Sequence, residues 1–573
     1  MTSGPFLFPA NAMSEVEDEP WGRPSPAREG CTVTPLIEAA DMYPRLEELV
    51  LDATSSIWMS FRVFDLETKT RSEAAKAAGL ADWSALLRDA VKRGVEVRIL
   101  LADFEPVLAD YLHAGSWTSF QHVRAIIDEL AEAERERLQL IVVQHEGELG
   151  WVWRQALRLP LRSRIHQVVN KLLGSDRSKD GGLDTRPGLW PHLAWEGGKP
   201  KSWRPAPPPR LWPATYHQKF VVVDGIKAII GGLDLDERRW DDRRHRQRAN
   251  QTWHDISALI EGPVVADAGR HFAMLWNREL PRYRDTVAEW TDGCGRQLML
   301  DPLTQAAMPD DAPAAGGTAT VQLARTLSRR SNSPVAIGPR HGVRELKAAH
   351  RSLILSARRR LYIEAQFFRS SDAGEWVAQA LAGNPDLEVI ILVANVPEEI
   401  AFEGQVDNLA HRHGEYLQAR ALGDLLRQAG PARIGLFTLA KQAPVAPNEH
   451  EFEETRGTAY GSGLIHIHSK LLMADDRVCL LSSANINGRS FDWDTELGFL
   501  WVEEGEAIAR FRQRLWSQLF AGDVPEDLDG WRDRARFNSG AEPEARKGFV
   551  LPYQLGRARR FARPYFFIPD DLV

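Results

Sequence analysis

Cysteine is nearly absent from this chain, whose 573 residues contain only Cys31, Cys294 and Cys479. An odd number of widely spaced cysteines argues against a disulfide framework and against a cysteine metal site, and it favours reducing surroundings. Long apolar runs are also missing, since no stretch approaches the roughly 20 residues needed to span a bilayer. We therefore expect a cytoplasmic or peripheral membrane protein without a transmembrane segment. Signal-independent export stays compatible with this sequence.

Excess positive charge is lacking as well. Lys and Arg number 71 against 79 Asp and Glu, which gives a net charge of -8 and argues against nucleic acid as a general partner. Residues 1–34 have neither a basic start nor a sustained apolar region, so we expect a flexible N-terminal arm and no Sec signal peptide. The 43% apolar content is ordinary for a globular protein, and a chain of this length is expected to form two lobes.

Two parts of the chain show the same order of predicted elements. A strand, a helix and a second strand follow one another at 55–64, 72–93 and 95–101, and again at 361–368, 374–381 and 387–393. Such units imply parallel strand pairing with helices on the sheet faces. Each half ends with a further strand, at 253–261 or 495–502, and a helix near 263–278 or 505–520. We therefore predict an α/β fold built by internal duplication.

The boundary between the halves is predicted at 301–318, where Pro, Ala, Gly and Asp are typical of a linker. This places the first lobe at 35–300 and the second at 319–573. An insertion at 150–213 interrupts the first lobe and holds six tryptophans beside the basic and apolar stretch LRLPLRSRIHQVVNKLLG. Such a segment can lie in a lipid headgroup layer, or it can pack on its own domain as a lid. The sequence leaves both interpretations open.

One short motif occurs once in each half: HQKFVVVD at 217–224 and HSKLLMAD at 468–475. Residues i and i+2 of a strand share a face, so the histidine and lysine of each motif project together. Phosphodiester chemistry needs a nucleophile, a proton donor for the leaving oxygen, and fixed positive charge beside the non-bridging oxygens. Two histidines and two lysines supply all three without a metal. The pair of motifs therefore predicts a phosphoryl-transfer site that needs no cofactor.

Polar residues follow both motifs at a matching offset, because Asp234 and Asn485 each lie seventeen positions beyond their histidine. Asn485 can bind a phosphoryl oxygen, and Asp234 can hold a lysine. A histidine keeps one role only if its other ring nitrogen is held, usually by a carboxylate, and Glu496 and Asp255 are the candidates. The sequence does not assign either carboxylate to a particular histidine. The candidate catalytic residues are His217, Lys219, Asp224, His468, Lys470, Asp475, Asn485, Glu496 and Asp255. For Asp224 and Asp475, which precede turn-like residues, a turn or ion-pair role is favoured over direct chemistry.

These residues resemble the phospholipase D superfamily. The motifs HQKFVVVDGIKAIIGGLDL and HSKLLMADDRVCLLSSANINGRS carry the resemblance, supported by RRWDD at 238–242, WHDISALIEGPVVAD at 253–267, LYIEAQFF at 361–368 and DTELGF at 494–499. Gly-Gly-Leu-Asp and Trp-His-Asp look most like the eukaryotic-type members that cleave phosphatidylcholine. Ser482-Ser483 departs from the Gly-Ser of the family pattern, and Asp234 stands where asparagine is commoner.

The resemblance implies two α/β/α sandwich lobes with mixed, largely parallel sheets, related by a pseudo-twofold axis and sharing one cleft. It also implies that His217 attacks phosphorus to form a covalent phosphohistidine and that His468 protonates the leaving alcohol. Lys219, Lys470 and Asn485 would hold the phosphoryl oxygens. The candidate substrate-binding residues are Asp234, Ser483, Gln366, Arg239 and Trp240. Glu364 and Gln366 match a family strand in which they would support the lysines.

The function implied is a phospholipase D that acts on phospholipid at a membrane surface, with water or an alcohol as acceptor. A phosphatidyltransferase of the cardiolipin synthase type is one alternative, because those enzymes share the Glu-Gly-Pro-Val-Val stretch. A metal-independent nuclease and a non-catalytic lipid-binding scaffold are the others. Retention of both histidines and both lysines argues against the scaffold. Headgroup preference and oligomeric state are left open by the sequence.

Overall fold

The apolar runs of the sequence form the buried strands of one large sheet. The computed structural model describes residues 24–174, 182–207, 210–401, 408–445, 457–566 and 568–573. The strands of the first half are β1 (Arg28–Ile37), β2 (Ser56–Phe61), β3 (Glu96–Ala102), β4 (Leu138–Val143), β5 (Leu193–Glu196), β6 (Lys199–Trp203), β7 (Phe220–Val223), β8 (Lys227–Gly231), β9 (Trp253–His254) and β10 (Ile256–Glu261). Its helices are α1 (Ala39–Asp52), α2 (Glu73–Ala77), α3 (Trp83–Lys92), α4 (Asp110–Glu129), α5 (Glu132–Arg135), α6 (Trp151–Ala156), α7 (Arg158–Gly174) and α8 (Val264–Thr291).

The second half contributes its strands to the same sheet, apart from β18, which pairs with β9 in a separate two-stranded sheet. Its strands are β11 (Ala319–Arg329), β12 (Arg340–Arg344), β13 (Arg360–Ala365), β14 (Glu388–Val393), β15 (Ile434–Pro444), β16 (Thr458–Ala459), β17 (Ser462–Leu464), β18 (His466–Ile467), β19 (Lys470–Ala474), β20 (Val478–Ser482), β21 (Glu496–Glu503) and β22 (Val550–Pro552). Its helices are α9 (Glu345–Ser356), α10 (Ser371–Gly383), α11 (Glu398–Ala401), α12 (Leu409–Ala429), α13 (Ala507–Leu519), α14 (Leu528–Gly540) and α15 (Leu555–Phe561).

The strand order is the same in both halves. In the first half it runs β4-β3-β2-β7-β8-β10-β1, and in the second β15-β14-β13-β19-β20-β21-β11. Strands β1 and β11 pair antiparallel and join the two series into one sheet. The α/β class is confirmed. The internal duplication, the pseudo-twofold axis and the division into lobes at 301–318 stay predictions.

Several sequence-based expectations need correction. Parallel pairing is confined to β2-β3-β4 and β13-β14-β15 within the large sheet, so "largely parallel" is wrong. The His-x-Lys strands β7 and β19 return as antiparallel hairpins, which need only short turns. The helix predicted at 72–93 is two helices, because Asp82 caps a new start by accepting a hydrogen bond from the Ala85 N–H. Strand β1 begins at Arg28, inside the predicted arm, whose residues 1–23 lie outside the described part of the chain.

The candidate site lies at the edge of the sheet where the parallel strands have their carboxyl ends. Strands β2 and β13 end at Phe61 and Ala365, and polar residues follow each of them at that edge. Helix α8 packs across β2, β4, β7, β8 and β10, and α9 packs on β19, β20 and β21. One apolar core cluster extends from Cys31 to Val550 and so involves both halves. No helix in the described ranges is both long and apolar enough to cross a membrane.

Candidate active site

The two histidine motifs meet because each is paired with backbone from the other half. The N–H of His217 donates to the carbonyl of Thr495 at 2.9 Å, and the N–H of His468 donates to that of His254 at 2.8 Å. Strands β9 and β18 pair in parallel beside His468, and Tyr216 forms a bridge with Thr495 beside His217. These contacts bring both motifs to the junction of the halves.

Each histidine is also held by a carboxylate from the opposite half. Nδ1 of His217 lies 2.9 Å and 3.0 Å from the two carboxylate oxygens of Glu496. Nδ1 of His468 lies 2.6 Å from Oδ2 of Asp255. Both carboxylates are buried. The structure thus answers the question that the sequence left open, because Glu496 orients His217 and Asp255 orients His468.

A small residue of each motif region lies next to one of these carboxylates. A Cβ atom on Gly232 would lie 2.3 Å from Oδ1 of Asp255, so the glycine allows this close approach. The equivalent residue of the second motif is Ser483, whose hydroxyl donates to Glu496 Oε2 at 2.5 Å. Ser483 was predicted to bind substrate, but the structure places it as a support for Glu496.

The two lysines lie beside their own histidines and are buried. Lys219 Nζ donates to the carbonyl of His217 at 2.5 Å and lies 3.9 Å from Oδ2 of Asp234. Lys470 Nζ donates to the carbonyl of His468 and, at 3.3 Å, to Oε1 of Gln366. Burial lowers the pKa of Lys219 to about 8 and that of Lys470 to about 7. Both ammonium groups are therefore poised to lose charge near neutral pH unless an anion is bound.

Asn485 and Gln366 form the polar wall of the second half. The Asn485 side chain donates to Gln366 Oε1 at 3.3 Å, the same oxygen that accepts from Lys470. Asn485 Oδ1 is buried without a hydrogen-bond partner in the described part of the chain. The structure thus brings the predicted residues Asn485 and Gln366 to the lysine of the second motif.

Asp234 occupies the corresponding place in the first half, but it acts as an anchor. Its Oδ1 accepts from the backbone N–H groups of Arg62 and Val63 at 3.0 Å and 2.9 Å. Its Oδ2 lies 3.9 Å from Lys219 Nζ and 4.0 Å from Arg239 Nη2. Burial would raise its pKa, yet the charges of Lys219 and Arg239 hold that pKa below the usual value. Asp234 is thus placed as a counter-ion of Lys219 and Arg239, in keeping with the expectation that it holds a lysine, and a substrate contact by Asp234 stays a prediction.

Two arginines complete the cationic surroundings. Arg239, predicted from the sequence, lies with Nη1 3.2 Å from Nε2 of His468 and stacks over the Trp253 ring at 4.7 Å. Arg62 follows β2 and its charge contributes to lowering the pKa of His217. Sequence reasoning missed Arg62, although aligning Ile57–Phe64 with LYIEAQFF places it opposite Gln366. The repeat therefore contained the signal for a residue that no motif marked.

Asp224 and Asp475 are placed away from the histidines. Each lies at the far end of its strand, about 20 Å along an extended chain from the histidine of its motif. Asp224 accepts from the backbone N–H groups of Thr54, Ser55 and Ser56 at 2.8–2.9 Å, and Asp475 accepts from those of residues 358, 359 and 360 at 2.8–2.9 Å. Both have positive φ, 52° and 54°. Their inclusion among catalytic residues is wrong, and they fix the starts of β2 and β13.

Trp240 also departs from its predicted role. Its ring packs on Tyr43 at 5.7 Å and lies under the guanidinium of Arg71 at 4.5 Å. These ring contacts join Trp240 to Tyr43 of α1 and to Arg71. We find support for the fold here rather than for substrate binding.

A buried ionic network behind His468 was not predicted. His254 Nδ1 lies 2.6 Å from Glu38 Oε1, and its Nε2 lies 3.0 Å from Glu364 Oε2. Burial would lower the pKa of His254, but the two carboxylates hold that pKa well above its usual value. Glu364 therefore supports His254 and not a lysine as expected. Because Glu38 also accepts from the Asp255 N–H at 3.2 Å, the network fixes the backbone that carries the partner of His468.

Burial and nearby cations lower the pKa of both motif histidines well below the usual value. Burial raises the pKa of Asp255 to about 6. With Nδ1 bound to a carboxylate, each ring presents Nε2 for chemistry. The side chain of His217 is 12% exposed and that of His468 is 4% exposed, so His217 is the more accessible. A neutral histidine among several cations can attack an anionic phosphodiester.

Comparisons with known proteins find phospholipases D among the similar sequences. Phospholipase D2 of Bos taurus is 24% identical over 526 residues, which cover 84% of this chain and 50% of that protein. Phospholipase D1 of Mus musculus is 28% identical over 325 residues, covering 52% and 28% respectively. The chain thus spans half or less of these relatives, and no family model matches it. Among solved structures, phosphatidylserine synthase of Haemophilus influenzae covers 90% of this chain and 92% of its own, at 12% identity and a TM-score of 0.47.

The matches to the phospholipases D extend over much of this chain, and the paired His-x-Lys motifs meet with their carboxylates in one site. On these grounds the chain belongs to the phospholipase D superfamily.

Proposed function

We propose that this chain is a phospholipase D, which hydrolyses the distal phosphodiester bond of glycerophospholipids to phosphatidic acid and a free headgroup alcohol. The observation that carries the proposal is the pair of histidines, each with Nδ1 held by a buried carboxylate of the opposite half. Four cationic side chains adjoin them, from Lys219, Lys470, Arg62 and Arg239. Distant similarity to phospholipases D1 and D2 supports a phospholipid as the substrate.

In the first step, Nε2 of neutral His217 attacks phosphorus. The phosphorus–nitrogen bond forms as the bond to the headgroup oxygen breaks, and His468 gives its Nε2 proton to that oxygen. The surrounding cations lower the pKa of His468 in the free protein. An arriving phosphodiester carries a negative charge that offsets them, so His468 binds a proton when substrate is present. Lys219 and Lys470 hold the non-bridging oxygens, where negative charge is concentrated.

In the second step, water attacks the phosphohistidine. His468, now neutral, takes a proton from the water as the phosphorus–nitrogen bond breaks. Phosphatidic acid leaves, His217 returns to its neutral form, and His468 regains its proton. An alcohol in place of water gives a phosphatidyl alcohol by the same route, so hydrolysis and transphosphatidylation share one intermediate.

The proposal is tested with phosphatidylcholine and phosphatidylethanolamine in buffer containing a little ethanol. We expect both phosphatidic acid and phosphatidylethanol, measured by mass spectrometry of the lipid extract. The His217→Asn variant should form neither product, whereas the control His122→Asn, a half-buried histidine outside the site, should retain activity. Rapid acid-free quenching of labelled substrate should trap an adduct on the wild-type protein and on His122→Asn but not on His217→Asn.

The same experiment separates the alternatives. Cardiolipin accumulating from phosphatidylglycerol alone would identify a phosphatidyltransferase of the cardiolipin synthase type. Metal-independent cleavage of single-stranded DNA that is lost in His217→Asn would identify a nuclease. Absence of any product from several headgroups would overturn the proposed hydrolase.

A further inference from the structure

An exposed apolar cluster lies at the start of the predicted insertion. Trp151 and Leu159 are 62% and 76% exposed, and Val335, on the loop between β11 and β12, is 59% exposed. The indole N–H of Trp153 donates to the carbonyl of Val335 at 2.9 Å, which ties the loop to α6. The remaining exposed apolar members are Val152, Trp153 and Leu157. We call this set the α6–α7 surface. Apolar side chains clustered in this way mark an interaction site more often than scattered ones do.

The same segment is basic, although the chain as a whole is acidic. Residues 151–174 contain four arginines and one lysine and no aspartate or glutamate, in a chain of net charge -8. Arg158, Arg164 and Lys171 are exposed. A cavity of about 400 Å³ beside α7 is lined in part by Arg158, Arg162 and Trp203. The basic side chains of α7 beside the α6–α7 surface thus complement an anionic partner.

Helix α7 packs on the core through one face only, which leaves the α6–α7 surface exposed. Leu161, Ile165 and Val169, spaced four residues apart, form a buried stripe along α7 that faces the chain's own core. Backbone bonds from Gly150 to the carbonyl of Ala336 and from Val152 to that of Pro334 fix the start of α6. Helix α7 is therefore anchored through one face and leaves its basic face outside, and the two tryptophans of α6 are also exposed. The helix is thus packed on the core and still presents an exposed surface.

A short stretch of chain links the α6–α7 surface to the neighbourhood of His217. His145, two residues after β4, packs its ring 5.6 Å from Tyr216, the neighbour of His217. Trp151 follows six residues later, which an extended chain can span in about 20 Å at most. A bilayer in contact with Trp151 would therefore lie within reach of the site.

We propose that the α6–α7 surface docks the protein on anionic phospholipid bilayers. Trp151, Leu157 and Leu159 enter the headgroup layer, and the basic side chains of α7 contact lipid phosphates. The inference rests on the proposed function only in taking phospholipid as substrate, because the binding itself needs no catalysis.

The test measures binding of the full chain to sucrose-loaded vesicles by sedimentation, with pure phosphatidylcholine compared with a mixture containing phosphatidylglycerol. We expect tighter binding to the anionic vesicles and a loss of that preference at high salt. Arg158→Glu, Arg164→Glu and Lys171→Glu together should weaken binding more than tenfold. Trp151→Ala with Leu159→Ala should weaken binding to both vesicle types.

Matched controls change the same charge or apolar area elsewhere. Lys92→Glu, Arg477→Glu and Arg351→Glu together alter three exposed cations outside the surface, and Phe537→Ala removes an aromatic ring that is 49% exposed. Neither should change vesicle binding. All variants should cleave a short-chain phospholipid below its micellar concentration at the wild-type rate, since their site is intact.

The proposal is overturned if the charge reversals and their controls bind vesicles equally well. It is also overturned if the surface substitutions abolish binding to single-stranded DNA, or dissociate a dimer, while vesicle binding is unchanged. Failure of the proposed function gives a different result, because a chain without any lipid-cleaving activity can still show surface-dependent vesicle binding.

Discussion

Replacing Glu496 with glutamine removes the negative charge that holds His217 while keeping the side chain's shape. Both carboxylate oxygens lie within 3.0 Å of His217 Nδ1, and the group is buried. When His217 attacks phosphorus, its ring gains positive charge about 4 Å from the centre of this carboxylate. An effective dielectric of about 20 makes that attraction worth about 4 kcal/mol. We therefore expect kcat to fall about 10³-fold.

The loss should appear in kcat with little change in KM, because the attraction develops only as the ring becomes charged. Hydrolysis of short-chain phosphatidylcholine, followed by choline release, measures both constants. Glu503→Gln makes the same substitution at the other end of β21, where the carboxylate contacts Thr318 and Trp501, and it should leave kcat unchanged. If Glu496→Gln is folded by circular dichroism and loses less than about tenfold, the reasoning is refuted.

Three further outcomes follow from the structure. The kcat/KM of the wild-type protein should rise through about pH 6 as Asp255 ionises, and it should fall above about pH 7 as Lys470 loses its proton. A flat pH profile would contradict both assignments. Asp224→Asn should keep kcat within about threefold and cost about 1 kcal/mol of unfolding free energy at pH 7. Because the folded-state pKa of Asp224 is depressed to about 2, that cost should shrink in urea titrations as the pH falls from about 4 toward 2. His254→Leu leaves two buried carboxylates without their cation and should cost about 3–5 kcal/mol in the same assay, and adding Glu364→Gln should recover part of it.

Much of the fold could be predicted from local pattern. The apolar runs at β3 and β14 are buried strands flanked by helices, and both pair in parallel with the preceding strand as expected. The interruption between α2 and α3 was missed, because a capping aspartate at position 82 outweighs the helical periodicity around it. The extent of antiparallel pairing was missed because it depends on the hairpins that follow the motifs.

The site was predictable in its chemistry and less so in its supports. His217, Lys219, His468 and Lys470 are spaced on strands, so their shared face follows from the period of two. Ser483 was named as a candidate substrate-binding residue, but its hydroxyl donates to the buried carboxylate of Glu496. A motif reports residue types, and only the neighbours show what each polar group is bound to.

The sequence by itself determined the reacting groups of this protein, because two copies of one short strand motif carry the nucleophile, the acid and the cations. Only the tertiary structure decided how they are held. The contacts that orient His217 and His468 join residues 279 and 213 positions apart and cross between the halves. Local periodicity cannot encode such pairs, since they arise when strands of separate halves pack edge to edge. The burial that lowers the pKa of both lysines has the same origin.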